Sequence, residues 1–215
     1  ELALPGLAAA LALTSLVWLI SLFKRDVSII DIFWGLGFVT LAWFYRTQVP
    51  TDSFRQILVP VLVTIWGVRL ALYILWRNAG KGEDYRYTAM REKWGAKWWW
   101  WSYVQVFLFQ GLLIWVVSRP VQASQVPATP GLGWMAAAGT AVWLVGFLFE
   151  AVGDAQLAAF RRDPANRGRV LSTGLWRYTR HPNYFGDSLV WWGLFIIAAG
   201  VPGGAWIVFS PVLMT

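Results

Sequence analysis

Between Leu171 and Asp187 the chain reads Leu-Ser-Thr-Gly-Leu-Trp-Arg-Tyr-Thr-Arg-His-Pro-Asn-Tyr-Phe-Gly-Asp, and an apolar run to Gly200 follows. Pro182 suits the first turn of a helix, where its missing N–H would have had no partner, so the spacing predicts a helix over 182–200. The free amides and positive dipole end at that start suit an anion, and Arg177 and Arg180 stand nearby to pair with one. Asn183 and Asp187 are four apart and share a helical face. A phosphate-bearing cofactor finds its charge partners here. His181 is the one histidine and there is no cysteine, which excludes multi-histidine and zinc–thiolate metal sites. The plainer reading is a basic anchor for lipid headgroups ending in a helix cap, and the acid Asp187 inside an apolar run argues against it.

Other charged groups sit where charge is expensive. Asp31 lies about a turn inside an apolar run, Ile30-Asp31-Ile32-Phe33-Trp34-Gly35, where a carboxyl is paired, wetted, working, or capping a helix at the interface. Arg69, Tyr73 and Arg77 are spaced four apart and form one line along a helix. Arg77 reads as a snorkelling anchor, while the deeper Arg69 is expected to face a polar cavity. Gly80-Lys-Gly-Glu-Asp-Tyr-Arg-Tyr87 reads alone as a solvated turn. Beside a second basic loop it becomes half of a cofactor clamp, with rings that stack on a base and Arg86 to fork onto phosphate. Glu150 and Asp154, again four apart, repel each other unless the arginines from Arg161 onward face them.

The elements that must position these groups are membrane helices. Of 215 residues, 58% are hydrophobic and only 13% charged, with 17 Trp, a composition that predicts an all-α polytopic membrane protein. Apolar runs of spanning length occur near 4–23, 27–45, 57–76, 98–118, 131–154 and 184–200, and a seventh begins near Ala205, too short to cross by Thr215. About seven helices in one domain over 1–215 are therefore expected. The net charge of +7 is spread over short loops, which argues for topology and against nucleic acid. Lys24 and Arg25, then Arg77, Lys81, Arg86, Arg91, Lys93 and Lys97, then the arginines from 161 to 180 fall after spans one, three and five. Arg46, Arg55 and Arg119 alone occupy the other loops. The rule that basic loops stay inside puts the N-terminus outside and both candidate clamp loops in the cytoplasm, as in a bacterial inner membrane. Lys97-Trp-Trp-Trp-Trp101 reads as an interfacial aromatic belt and the loop 120–130 as a passive outer connection. No cleavable signal peptide is evident, and Glu1 in place of Met indicates a lost natural start.

The stretch Gly-Leu-Trp-Arg-Tyr-Thr-Arg-His-Pro-Asn-Tyr-Phe-Gly-Asp resembles the signature of the steroid 5-alpha-reductase family and its bacterial relatives, in a superfamily shared with sterol reductases and isoprenylcysteine carboxyl methyltransferases. The likeness runs from about Asp31 to the end, and Gly-Glu-Asp-Tyr-Arg-Tyr87 is similar to an element of the bacterial branch. It implies a cofactor set of Arg69, Tyr73, Arg77, Asp84, Tyr85, Arg86, Glu150, Asp154, Arg161, Asn166, Arg169, Leu171, Tyr178, Arg180, His181, Asn183, Tyr184 and Asp187. It also implies Asp31 and Tyr87 as catalytic groups and Trp34 and Trp66 against the substrate. Family members carry a Gln-Glu pair where this chain has Ile30-Asp31, so the acid is retained and the Gln is not. Trp66 stands where some members have a further catalytic Tyr, and a family arm rich in Arg and Tyr beyond the seventh span is absent from these residues.

Three functions follow. In the first, a membrane reductase holds NADPH on these arginines and passes hydride to the β carbon of a flat apolar enone, steroid or lipid-like, while an acid polarises the ketone. No Gly-x-Gly-x-x-Gly fingerprint is present, so no Rossmann domain carries the cofactor. In the second, the same core serves an S-adenosylmethionine-dependent methyltransferase; arginines aimed at phosphates favour the dinucleotide. In the third, the chain is a non-catalytic sterol or lipid binder whose polar cluster binds headgroups.

Overall fold

In the computed structural model, helices follow one another with no strand among the described residues, which are 2–50, 53–126 and 133–215. Five helices are long and apolar enough to cross a membrane. They are α1 (Ala3–Lys24), α2 (Ile29–Thr47), α3 (Arg55–Asn78), a helical stretch over Tyr85–Val117 that is broken at Gly95 (φ 51°), and the 29-residue helix Trp134–Arg162. The fourth is built of α4 (Tyr85–Trp94), α5 (Trp98–Ser102), a π-helical turn over Tyr103–Leu108, and α6 (Phe109–Val117). A short α7 (Arg119–Ala123) follows, so the outer connection opens as a helical turn. The rest of that connection, from 127 on, and the first two residues of the span expected at 131–154 lie outside the described residues.

The sixth expected span is α9 (Pro182–Ala199), which follows α8 (Trp134–Arg162) and has Pro182 in its first turn as the sequence predicts. Its opening turns carry Asn183, Asp187 and Ser188, and it is not among the five spanning helices. The seventh run becomes a short apolar helix over Gly204–Leu213, which ends in α10 (Phe209–Leu213).

The chain divides into two compact units, Glu1–Gln125 and Val126–Thr215. In the first unit, α2 and α3 are the most extensive pair. They approach so closely that a Cβ added at Gly35 would stand 2.6 Å from the Gly67 carbonyl oxygen. Phe38 packs edge-on against both Trp34 (ring centroids 5.3 Å apart) and Trp66 (5.8 Å). At the far end of α3, Arg55 and Gln56 are buried: Arg55 donates to the Ser124 carbonyl (3.2 Å) and Gln56 to the Gln125 carbonyl (2.9 Å). Counted with the loops by sequence, Arg55 is a polar tie between helices.

In the second unit, α8 and α9 lie antiparallel along a seam of glycines that recur every seven residues, Gly139, Gly146 and Gly153 on one helix and Gly186 and Gly193 on the other. A Cβ at Gly139 would stand 2.5 Å from the Gly193 carbonyl, and one at Gly146 would stand 2.6 Å from the Gly186 carbonyl. In lipid, helices gain little from burying apolar side chains, so backbone contact over small residues is what holds such a pair. A seven-residue repeat keeps those residues on one seam. The seam also fixes the axial register, which decides which polar side chains of α8 and α9 meet.

Candidate functional site

Candidate groups in the first unit fall into two clusters. Asp84 caps α4 by accepting from the Arg86 amide (3.0 Å), and this starts a helix where the sequence alone suggested a turn. The helix carries Tyr87 inward, to 6% exposure, and leaves Tyr85 outward at 80%. From α2, Asp31 reaches the same place. The Tyr87 hydroxyl donates to Asp31 Oδ1 (2.7 Å) and Arg86 Nη2 donates to Oδ2 (2.7 Å). Arg86 Nε also donates to Asp84 Oδ1 (2.9 Å). That hydrogen bond holds the Asp84 carboxyl below the ordinary carboxylate range. Asp31 thus accepts from two donors, the Tyr87 hydroxyl and the Arg86 guanidinium. These are partly exposed contacts, so they matter more for where they hold the hydroxyl than for stability.

The second cluster is a stack along α3. The guanidinium of Arg69 lies 5.3 Å from the centre of the Tyr73 ring, and that of Arg77 lies 5.7 Å from it. The spacing of four delivers the expected line, with an aromatic between two cations. Trp66 is fully buried and Trp34 half-buried, joined through Phe38.

The second unit brings together half of its candidates. Arg161, Asn166, Arg169, Leu171, Arg180 and His181 line one cavity of about 910 Å³, beside Leu157 and Phe160, to which the resemblance gives no role. Arg162, Asp163, Arg167, Val170 and Trp176 also line it, and none of these five was singled out by the resemblance. The loop that shapes it is pinned to α8 at two points. Trp176 Nε1 donates to the Gly153 carbonyl (3.0 Å), and the Leu175 amide donates to Gln156 Oε1 (3.0 Å). Gly174 adopts a left-handed φ of 61° right against Gln156, where a Cβ has no room. Asn166 is spent within the protein, its Nδ2 donating to the Phe160 carbonyl (3.0 Å). Asp163, the one acid in the lining, accepts from the Ala165 amide (2.9 Å).

Along α8, Glu150, Asp154, Leu157 and Arg161 follow at successive turns, so the buried acids lie just below the cavity's apolar wall. Glu150 is 4% and Asp154 5% exposed. Across the seam, Asn183 Nδ2 donates to Asp154 Oδ1 (3.2 Å), while Asn183 Oδ1 is buried and accepts nothing among the described residues. Asp187 is one turn further along α9 and half-buried. Tyr178 and Tyr184 are exposed (81% and 68%) and stand apart from the lining, although the Tyr184 ring lies 5.2 Å from that of His181.

These residues fit a nucleotide with several phosphates. The volume is within the ~300–1,000 Å³ usual for small-molecule sites. Five arginines converge on it, and Phe160, Leu171 and Trp176 offer flat apolar wall. The orphaned Asn183 Oδ1 is an acceptor held ready for a donor such as an amide. Among the described residues no group of three acids or histidines could hold a metal ion.

A protein of Schizosaccharomyces pombe carrying no assigned function is 25% identical over 224 residues, covering 90% of this chain and 64% of that protein. The 3-oxo-5-alpha-steroid 4-dehydrogenase 1 of Bos taurus is 31% identical over 72 residues, covering 34% of this chain and 28% of that one. This chain thus spans less than two thirds of either relative. No solved structure matches it. The family model described as protein of unknown function (DUF1295) matches residues 17–215, nearly the whole length, and to that family the chain belongs.

Proposed function

We propose that the chain is a membrane-embedded, NADPH-dependent reductase of the carbon–carbon double bond in an apolar enone, of which a 3-oxo-4-ene steroid is the model substrate. The observation that carries this reading is the arginine-lined cavity over Leu157–His181. The stretch of likeness to the bovine steroid dehydrogenase points the same way. Five guanidiniums favour a polyanion and disfavour S-adenosylmethionine, whose sulfonium is itself cationic, so the methyltransferase reading finds no support in the lining.

In this reading Arg161, Arg169 and Arg180 grip phosphates, with Arg162 and Arg167 beside them, and Trp176 gives a ring to stack on. Asn183 receives an amide through Oδ1 and is itself aimed by Asp154. Asp187 and Glu150 add acceptors along the seam. In the first unit Arg69, Tyr73 and Arg77 offer a further cationic and aromatic strip, and Asp84, Tyr85 and Arg86 flank Tyr87. When bound, the dinucleotide supplies the hydride that saturates the alkene. Tyr87 is the group with a proton to present: its hydroxyl rests on Asp31, which Arg86 keeps paired, and turns to the substrate's carbonyl oxygen as negative charge gathers there. Trp34 belongs to the aromatic wall facing a flat substrate that comes from the lipid, with the fully buried Trp66 backing it through Phe38. In the same reading the arginine-rich loop over 161–180, and with it the cavity, faces the cytoplasm, where NADPH is found.

The test is NADPH-dependent reduction of a 4-ene-3-keto steroid by the purified protein. Asn183→Ala and Asp187→Ala should abolish turnover with expression intact. Unchanged turnover in both would remove the proposed site.

A further inference from the structure

Tyr87 has on either side of it in the chain two residues to which the resemblance gives no role. Glu83 lies just before the Asp84 cap of α4 and Arg91 lies one turn after Tyr87 on the helix, and both reach the turn between α1 and α2. Glu83 is the hub. Its Oε1 accepts from the Val27 amide (2.7 Å) and from Arg91 Nη2 (2.9 Å), and its Oε2 accepts from Arg91 Nε (2.9 Å). Arg91 also donates to the Arg25 carbonyl (3.3 Å), at the residue whose left-handed φ of 52° turns the chain from α1 into α2. The Glu83 side chain is 10% exposed and that of Arg91 40%, so the fork is shielded on its acid side and geometrically strict.

The consequence lies at Tyr87. Val27, Ile29, Ile30 and Tyr87 belong to one buried cluster, and Asp31 is the next residue along α2. A clamp that ties the start of α2 to both sides of Tyr87 therefore fixes the distance between the hydroxyl and Asp31. Asp26 reinforces the turn by accepting from the Ser28 amide (2.9 Å).

We infer that Glu83 and Arg91 are positioning residues: they set the Tyr87 hydroxyl on Asp31 and act on the reaction only through it. The inference rests on the reading of Tyr87 as the proton-bearing group.

Two readouts on the full chain in detergent test it. The protein has 7 tyrosines, so 3-fluorotyrosine labelling gives a resolvable fluorine spectrum in which Tyr87→Phe identifies the Tyr87 resonance. Glu83→Gln and Arg91→Lys should each shift that resonance and leave the others in place. A Tyr87 resonance unmoved in both variants overturns the proposal. If Glu83→Gln unfolds the protein, Arg91→Lys, which keeps the charge and loses the fork, decides alone. In turnover, Glu83→Gln should lower kcat about tenfold or more with NADPH affinity unchanged, and should add nothing in a Tyr87→Phe background. Losses that multiply would show a separate structural role and overturn it. A wild-type protein without reductase activity refutes the proposed function instead and leaves the fluorine resonance to decide this point.

Discussion

Gly146→Ala tests whether the glycine seam sets the geometry of the second unit. The added Cβ would stand 2.6 Å from both the Gly186 carbonyl oxygen and the Val190 amide nitrogen, about 0.8 Å short of the 3.4 Å at which ordinary contact begins. Both neighbours are backbone atoms of α9 and cannot rotate away, so α9 must move. A displacement of that size takes the Asn183–Asp154 hydrogen bond from 3.2 Å to about 4 Å, beyond reach. Overpacking of this kind costs about 1–3 kcal/mol. In a chain of this length the midpoint should fall by roughly 4–8 °C for a 2 kcal/mol loss. The assay is thermal unfolding followed by tryptophan fluorescence in one detergent, with Gly82→Ala as the control. A Cβ at Gly82 meets nothing within 4 Å, and its midpoint should move by less than about 2 °C. NADPH affinity should drop in Gly146→Ala. A Gly146→Ala protein with the wild-type midpoint and wild-type affinity would refute the claim that backbone contact fixes the pair.

Arg169→Glu, which puts a carboxylate in the cavity, should weaken NADPH binding by at least about tenfold, and the remaining affinity should depend less on salt than that of the wild type; titration at two ionic strengths checks both. Tyr87→Phe should lower kcat by about 10²-fold while the dissociation constant for NADPH stays put, read by steady-state turnover beside direct binding. Asp84 has a lowered pKa in the folded protein, so its contribution to stability is full above the unfolded carboxylate value and disappears as pH falls through the folded one. The melting difference between wild type and Asp84→Asn should accordingly hold steady from neutral pH down to the usual carboxylate range and vanish below it.

Hydrophobic run length made the helices legible: the expected spans at 4–23, 27–45 and 57–76 match α1, α2 and α3 to within two residues. Run length failed where polarity and structure part company. α4 is polar and reads as a loop, because a cap and a clamp to the α1–α2 turn stabilise it rather than an apolar stripe. Spacing of four correctly paired Arg69, Tyr73 and Arg77, since that relation is local to one helix. The Asp31–Tyr87 contact joins residues far apart in the chain, and no local pattern announces it. The glycine repeat over 139, 146, 153 and over 186, 193 was open to inspection and is the signal that would have predicted the α8–α9 register. Arg162, Arg167 and Trp176 were missed for another reason: their place depends on how the loop after Arg162 folds back onto α8.

The most direct measurement is titration of the purified chain in detergent with NADPH, following energy transfer from tryptophan, for which Trp176 stands in the cavity lining. The account predicts saturable binding that adenosine 2′,5′-bisphosphate displaces and S-adenosylmethionine does not. Saturable binding of S-adenosylmethionine with none of NADPH would contradict it.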